Sequence, residues 1–325
     1  MLEQAIDKSK KTTREFDIAA NIRKRKTWNR VISVLLFACG IFSILVTIGI
    51  IVSLFSEGIA FFLRPEVSLW QYLTGTEWKP LSEPIKTTNF GVRPLIRGTL
   101  MIAIISGMIS IPLGSGTAIY LSEYAKPKMR RILKPLIEIL AGIPTVVYGY
   151  FAINFITPLM DRFLENAFGW DVSFFNAFSA SVVVGIMIIP TVASISEDAM
   201  RAVPNSLRDG AYALGATKFE VVTRVVYPAA LSGILSSFIL AISRAVGETM
   251  AVTVAAGATP RMTLNPLESV QTMTAFIVQV SFGDAPAGSI NGQSIFAVGS
   301  TLFLMTFVMN IISDVVMKKY REVYE

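Results

Sequence analysis

Pro204–Pro228, PNSLRDGAYALGATKFEVVTRVVYP, decides how the chain is read. It separates two apolar runs, so it is a loop at one face of a membrane. Its Ala, Leu, Val and charged residues are nevertheless good helix formers. Gly215 divides it into two short helical halves, and Pro228 closes it before the next apolar run. In the first half, Ala211 and Leu214 stand three apart and form an apolar edge. In the second half, Phe219, Val222 and Val226 follow at spacings of three and four, which predicts one apolar face. Two short amphipathic helices around a glycine are built for docking.

The apolar runs outside this loop set the class. The chain has 325 residues, 53% hydrophobic and 16% charged, too apolar for an ordinary soluble domain. Six spans are predicted: Val31–Phe55, Leu95–Leu121, Leu136–Leu159, Ala177–Ser196, Ala229–Val254 and Ile295–Met317. The first has 25 uncharged residues, enough to cross hydrocarbon of about 30 Å as a helix. Pro112, Gly114 and Gly116 in the second and Pro190 in the fourth are tolerated where neighbouring helices re-satisfy the backbone. Trp70, Tyr72 and Trp78 predict an interfacial aromatic belt after the first span. Residues 255–294 form a Gly/Pro-bearing loop around LESVQTMTAFIVQVSF, a short re-entrant or interfacial helix. The predicted fold is an all-α membrane protein. Residues 1–30 are a basic, mobile arm, 31–94 the first span and its loop, 95–317 the core including 204–228, and 318–325 a tail.

Charge orients this arrangement. The arm, the 122–134 loop, the 197–228 loop and the tail carry 21 Lys or Arg, and the opposite loops together with Arg97 carry seven. The positive-inside rule therefore places both termini and the Pro204–Pro228 loop in the cytoplasm. The net charge of +6 belongs to this topology and to anionic lipid, not to nucleic acid. The polar, basic first 30 residues do not read as a cleavable secretory signal. The single cysteine, Cys39, excludes an intramolecular disulfide and reads as inert packing. With no histidine in the chain, no His-based metal site or general base is available. No G-x-x-x-x-G-K-[ST] run and no nucleophile–base pair occurs, so the chain is expected to be no enzyme and to carry no cofactor.

The loop resembles the cytoplasmic coupling loop of ABC importer permeases, E-A-A-x3-G-x9-I-x-L-P. Asp209, Gly210 and Ala211 stand at E-A-A, Gly215 and Pro228 fall at the required spacing, and Val225 and Tyr227 replace I and L. The resemblance implies that Asp209, Gly210, Ala211, Leu214, Gly215, Phe219 and Pro228 couple the chain to an ATPase that is a separate subunit and holds the ATP.

The fifth span carries two central charges, Arg244 and Glu248, within SRAVGETM. Four apart, they are predicted to share one helix face. Each costs roughly 2.5–3.5 kcal/mol at a bilayer centre, so each needs a reason to be there. One reason is a structural ion pair. The other is a passage for an anion, because the planar fork of Arg donates two parallel hydrogen bonds to an oxyanion. A carboxylate beside it suits an anion that still carries a proton, as phosphate does near neutral pH and sulfate does not. SRAVGETMAVTVAAG, with GIPTVVYG at Gly142–Gly149 and YALGATKFEVV, resembles the permeases of phosphate (Pst) importers, PstC-like rather than PstA-like. The likeness spans about Leu95–Glu325. It implies a type I ABC importer permease fold, inorganic phosphate as substrate and an inner-membrane location. It also implies a pathway through Ser243, Arg244, Glu248 and Thr249. The implied partners are a PstA-like second permease, two copies of an ATPase subunit and a periplasmic phosphate-binding protein. Competing readings are a permease for molybdate or sulfate, a secondary transporter driven by an ion gradient, and an intramembrane enzyme. The absence of histidine and of an evident inverted repeat speaks against the last two.

Overall fold

The computed structural model describes residues 2–80, 90–283, 286 and 288–320. Residues 81–89 of the first interhelical loop and 321–325 of the tail lie outside the described residues. Every regular element among the described residues is a helix, and the one β pairing is an isolated bridge, Trp78 to Phe90. By its internal contacts it divides into two units, Met1–Ser56 and Glu57–Glu325.

The first unit belongs to one uninterrupted helix, α1, Leu2–Phe62. The arm expected at 1–30 therefore continues into the first span without a break. The span offers a lipid-like surface: Leu36, Phe37 and Phe42 are exposed. Cys39, expected to be packed, is exposed as well.

In the second unit, α2 (Leu69–Thr74) follows the end of α1, and α3 (Arg93–Ile119) is the second span, widening into a π turn at Tyr120–Tyr124. Next come α4 (Pro127–Gly142), α5 (Thr145–Phe151) and, after a further π turn, α6 (Thr157–Phe168). α7 (Ala177–Ala202) is the fourth span. The Pro204–Pro228 segment holds α8 (Asn205–Ala213), α9 (Lys218–Val221), a π turn at Val222–Val226 and the start of α10 (Tyr227–Ala229). α11 (Leu231–Val246), α12 (Met250–Ala255), α13 (Met273–Ser281) and α14 (Ile290–Tyr320) complete the chain. Four helices are long and apolar enough to span a membrane, and two bent pairs bring the number to six.

The bent pairs correct two predicted spans. Leu136–Leu159 is not one helix: α4 turns through 88° into α5 and α6. The cause is Pro144, which drives Ile143 into extended backbone, φ −71° and ψ 130°. α4 therefore stands apart from the membrane-crossing part. The other pair bends by 71° at Ala230, where α10 meets α11. Ala229–Val254 is interrupted a second time at Gly247–Thr249, between α11 and α12.

Three apolar clusters stack along α3. Leu95 belongs to the first, with Phe61, Tyr72, Trp78, Phe90 and Phe276. Ile102 and Ala103 belong to the second, with α5, α7, α11 and α12. Ala118 belongs to the third, with Met200, Val221, Val226 and Ile234 beneath the loop. The first cluster overturns part of the expected aromatic belt. Trp70 is exposed, but Tyr72 and Trp78 are buried in a chain of edge-to-face rings with Phe61, Phe90 and Phe276. Burial of Tyr72 works because its hydroxyl is satisfied, donating to the Ala297 carbonyl at 3.1 Å and meeting Thr301 Oγ1 at 2.7 Å. The 255–294 segment is likewise packed: α13 buries Met273 and Phe276, and Thr272 caps it by accepting from the Ala275 N–H.

In hydrocarbon, helices associate through close packing of small residues and buried hydroxyl pairs. α3, α7 and α11 do both. Ser196 on α7 and Ser237 on α11 share a hydrogen bond of 2.7 Å. A Cβ on Gly114 of α3 would lie 2.6 Å from Val192 Cβ, and one on Gly233 of α11 would lie 2.4 Å from Ala199 Cβ. These glycines set the helix separation.

At the loop end, α7 is pinned by charge. Glu197 has no exposed surface, and its carboxylate accepts from Arg130 Nε at 2.6 Å and Lys134 Nζ at 2.8 Å, both on α4. A carboxylate buried without such partners would cost several kcal/mol. Arg208 of α8 donates to the Met200 carbonyl at 2.8 Å and pairs with Glu123 at 3.1 Å. It thereby satisfies the end of α7 and ties the loop to α3.

Gly114 and Gly116 separate close packing from helix propensity. Gly114→Ala should destabilise the protein by about 1–3 kcal/mol through overpacking against Val192. Gly116 has nothing within 4 Å, so Gly116→Ala should be neutral or stabilising by up to about 1 kcal/mol. Thermal unfolding of the two variants in detergent measures the difference.

Candidate translocation site and docking loop

α11 starts from the 204–228 loop and carries Arg244 near its far end. Thirteen residues separate Leu231 from Arg244, a rise of about 20 Å. Thr191 lies eleven residues before the end of α7 at Ala202, about 17 Å from the same side. Counted along the helices from the loop side, the two residues therefore lie at similar heights. There Arg244 Nη1 donates to Thr191 Oγ1 at 3.2 Å.

The helix ends two residues after Arg244. Gly247 adopts φ −84° and ψ −4°, its N–H returns to the Ser243 carbonyl at 3.2 Å, and α12 begins only at Met250. The expectation that Arg244 and Glu248 share one helix face is therefore incorrect. The helix is therefore interrupted between the two charges. No carboxylate of the described residues lies within 4.0 Å of Arg244, so the structural ion pair between them is absent. Glu248 is buried instead, and its Oε1 accepts from the Ala251 N–H at 3.2 Å in the first turn of α12. Its carbonyl accepts from Thr274 Oγ1 at 2.8 Å. Thr249 Oγ1 donates to the Gly247 carbonyl at 3.1 Å. Ser243 Oγ is buried and has no hydrogen-bond partner among the described residues.

Arg244 itself is exposed on this chain. Tyr148 of α5 stands close enough to feel its charge, with its hydroxyl donating to the Leu140 carbonyl at 2.7 Å. A cavity of about 830 Å³ lies elsewhere, lined by Met160, Phe163, Trp170 and Phe178, and does not include Arg244. The cation thus stands exposed on the surface of this chain.

The docking loop has a buried root and an exposed tip. Gly215 adopts φ +84°, a left-handed conformation that strains any residue with a Cβ, and it ends the turn that follows α8. Thr217 then starts α9 with a capping box: Thr217 Oγ1 accepts from the Glu220 N–H, and the Glu220 carboxylate accepts from the Thr217 N–H at 2.9 Å. These bonds, the backbone one first, hold the Glu220 carboxyl below the usual range, so the cap is charged at neutral pH.

Two predicted faces come apart. Ala211 packs partly against the third cluster, whereas Leu214 is 91% exposed. α8 ends at Ala213, and Leu214 is carried outward by the turn into Gly215. Val222 and Val226 are buried, whereas Phe219 is 68% exposed. Phe219 lies on α9 and the valines on a π turn, whose wider pitch breaks the three-and-four register. Asp209 and Gly210 are exposed on α8, and Pro228 is exposed on the first turn of α10. Leu214 and Phe219 are the two large apolar side chains that flank the turn. The Arg208–Glu123 pair, the burial of Glu197 and the contact of Thr191 with Arg244 carry no local sequence signal. The capping box does: Thr217-x-x-Glu220 is written plainly in the sequence.

Residues 110–322 match the family described as "Binding-protein-dependent transport system inner membrane component". The chain is 34% identical to the "Probable ABC transporter permease protein YqgH" of Bacillus subtilis, over 83% of this chain and 85% of that protein. It is 32% identical to the "Phosphate transport system permease protein PstC" of Mesorhizobium japonicum, over 74% of this chain and 76% of that one. A solved structure titled "Inward facing conformations of the MetNI methionine ABC transporter" superposes with a TM-score of 0.55 at 17% identity, over 74% of this chain and all of that one. At that identity it bears on the fold alone, which is the type I ABC importer permease fold. With the spans, the loop and its glycine at the required spacing, the chain belongs to the inner-membrane permease components of binding-protein-dependent ABC import systems.

Proposed function

We propose that this subunit passes inorganic phosphate inward across the membrane by alternating access. The observation that carries the reading is Arg244, an exposed cation near the end of an apolar helix with no carboxylate within 4.0 Å among the described residues. Against lipid such a charge is costly. Facing an aqueous passage it attracts and orients an oxyanion, with Thr191 steadying one arm of its fork. Ser243, Glu248 and Thr249 flank it at the helix break. Glu248, two residues beyond the end of α11, keeps a carboxylate close to Arg244 in the chain, which suits an anion that still carries a proton, phosphate rather than sulfate or molybdate. The relatives named as phosphate permeases support the same substrate.

The exposed Arg244 calls for a second permease, PstA-like in this reading, to close the passage. Two copies of an ATPase subunit bind the ATP and receive the loop tip in the cytoplasm, and a periplasmic phosphate-binding protein delivers the anion on the far side. Both termini lie in the cytoplasm, and this chain needs no cofactor of its own. Closure of the ATPases moves the tip, and the packed helices rock as rigid bodies.

Two experiments test these roles. Arg244→Gln should lower phosphate uptake by the assembled transporter about ten- to hundredfold, the worth of one or two charged hydrogen bonds, while ATP hydrolysis persists. Because Arg244 and Glu248 are not paired, adding Glu248→Gln should not restore uptake; restored uptake would show that Arg244 only balances charge. For the loop, Leu214→Asp and Phe219→Asp alter exposed side chains, so thermal stability should stay within about 0.5 kcal/mol. Co-purification of the ATPase should nevertheless be lost. Retention of the ATPase at wild-type ratio would remove the tip from the docking surface.

A further inference from the structure

Beside the junction of α3, α4 and α7 lies a cavity of about 640 Å³. Arg130, Arg131, Lys134 and Arg201 line it, with Ser122 and a single lining carboxylate, Glu138. Arg130 and Lys134 are already engaged by the buried Glu197, which fixes their positions, and Lys134 also meets Asp198 at 3.0 Å. Arg201 only approaches Glu197, at 4.0 Å, and is half exposed. Arg131 has no carboxylate within 4.0 Å among the described residues. Two guanidinium groups therefore remain available at the rim of a cavity whose floor is held rigid. Lys126 and Lys128 stand just before it on the same loop.

We propose that this cavity binds the phosphate group of an anionic phospholipid from the membrane leaflet on the loop side. The chemistry it reads is a phosphate oxyanion, and α4 decides its source. That helix buries no residue, and Ile132, Leu136 and Ile139, at spacings of four and three, are exposed by 58%, 54% and 61%. The same helix thus presents an apolar stripe beside its cationic one. A basic amphipathic helix of this kind lies in the membrane interface, with its apolar side among the acyl chains and its cations at the headgroups. An anionic phospholipid satisfies both stripes at once, phosphate in the cavity and chains on Ile132, Leu136 and Ile139. Free phosphate would satisfy the cations and leave the apolar stripe bare. The 88° bend at Pro144 places α4 for this role by turning it away from the span that follows. Occupancy also bears on the loop, because Arg201 is on the last turn of α7, whose Met200 carbonyl is held by Arg208. The inference is independent of what the transporter carries.

The test uses the purified full chain in a neutral detergent, titrated with dioleoylphosphatidylglycerol or dioleoylphosphatidylcholine. Bound lipid is counted by native mass spectrometry and thermal unfolding is followed in parallel. Phosphatidylglycerol should bind and raise the unfolding temperature, and phosphatidylcholine should not. Arg131→Gln with Arg201→Gln should weaken phosphatidylglycerol binding about ten- to thirtyfold. Lys126→Gln with Lys128→Gln removes the same charge outside the cavity and should weaken it clearly less. Equal losses in the two variants would mean diffuse attraction and overturn the site. So would equal binding of the two lipids, or displacement of phosphatidylglycerol by millimolar inorganic phosphate, which would make the cavity a free-anion site. Should the glutamine pair fail to fold, the lipid preference and the phosphate competition on the unaltered chain decide the proposal alone.

Discussion

A backbone N–H or carbonyl left unpaired in hydrocarbon costs several kcal/mol, and that constraint governs where this chain interrupts its helices. At Gly247–Thr249 the freed groups are met one by one: the Gly247 N–H by Ser243, the Glu248 N–H by Ala245, the Glu248 carbonyl by Thr274 and the Ala251 N–H by the Glu248 carboxylate. At the Pro144 bend, the Leu140 carbonyl accepts from both the Ile143 N–H and the Tyr148 hydroxyl. The break beside Arg244 is therefore a stable feature, able to hold a cation at one fixed depth. Thr274 is on the first turn of α13, so this bond ties that helix to the break.

Two charged residues on the packed spans, Glu197 and Arg244, illustrate opposite solutions. Glu197 is enclosed and receives two cations, so its charge is neutralised within the chain and its effect is structural. Arg244 is open and receives one hydroxyl, so its charge remains available. Desolvation cost alone does not distinguish them, because both positions are expensive. The partner count does. Glu248, which by sequence looked like the natural partner of Arg244, is occupied with the turn into α12.

Much of the architecture was legible because its signals are long. Apolar runs of more than twenty residues, the loop between two of them and Gly215 at its fixed spacing all survive averaging over local detail. What was not legible depends on one or two residues changing the helical period. Extrapolating a regular helix through Gly247 placed Glu248 beside Arg244, and extrapolating through Val222 placed Phe219 with Val226. Pro144 was visible in the sequence, but its consequence, an 88° bend that removes α4 from the third span, depends on the packing that stabilises either side. Tyr72 and Trp78 were read as interfacial from residue type, whereas their burial rests on Phe61, Phe90 and Phe276, far apart in the chain. Thr191 meets Arg244 through tertiary contact alone.

The loop is built so that force at its tip reaches the spans. Leu214 and Phe219 project outward around a glycine whose positive φ holds the turn, while Val221 and Val226 are buried with Met200 and Ile234. The capping box stiffens the helix after the turn, and Arg208 fastens the helix before it to both α3 and α7. A tip mounted on a mobile loop would absorb a displacement in its own backbone. Here the tip and its root form one packed body, and the neighbouring spans are held at glycine and serine contacts that do not compress. In the proposed coupling, a displacement at Leu214 or Phe219 would reach α7 and α11 together, the two helices that carry Thr191 and Arg244.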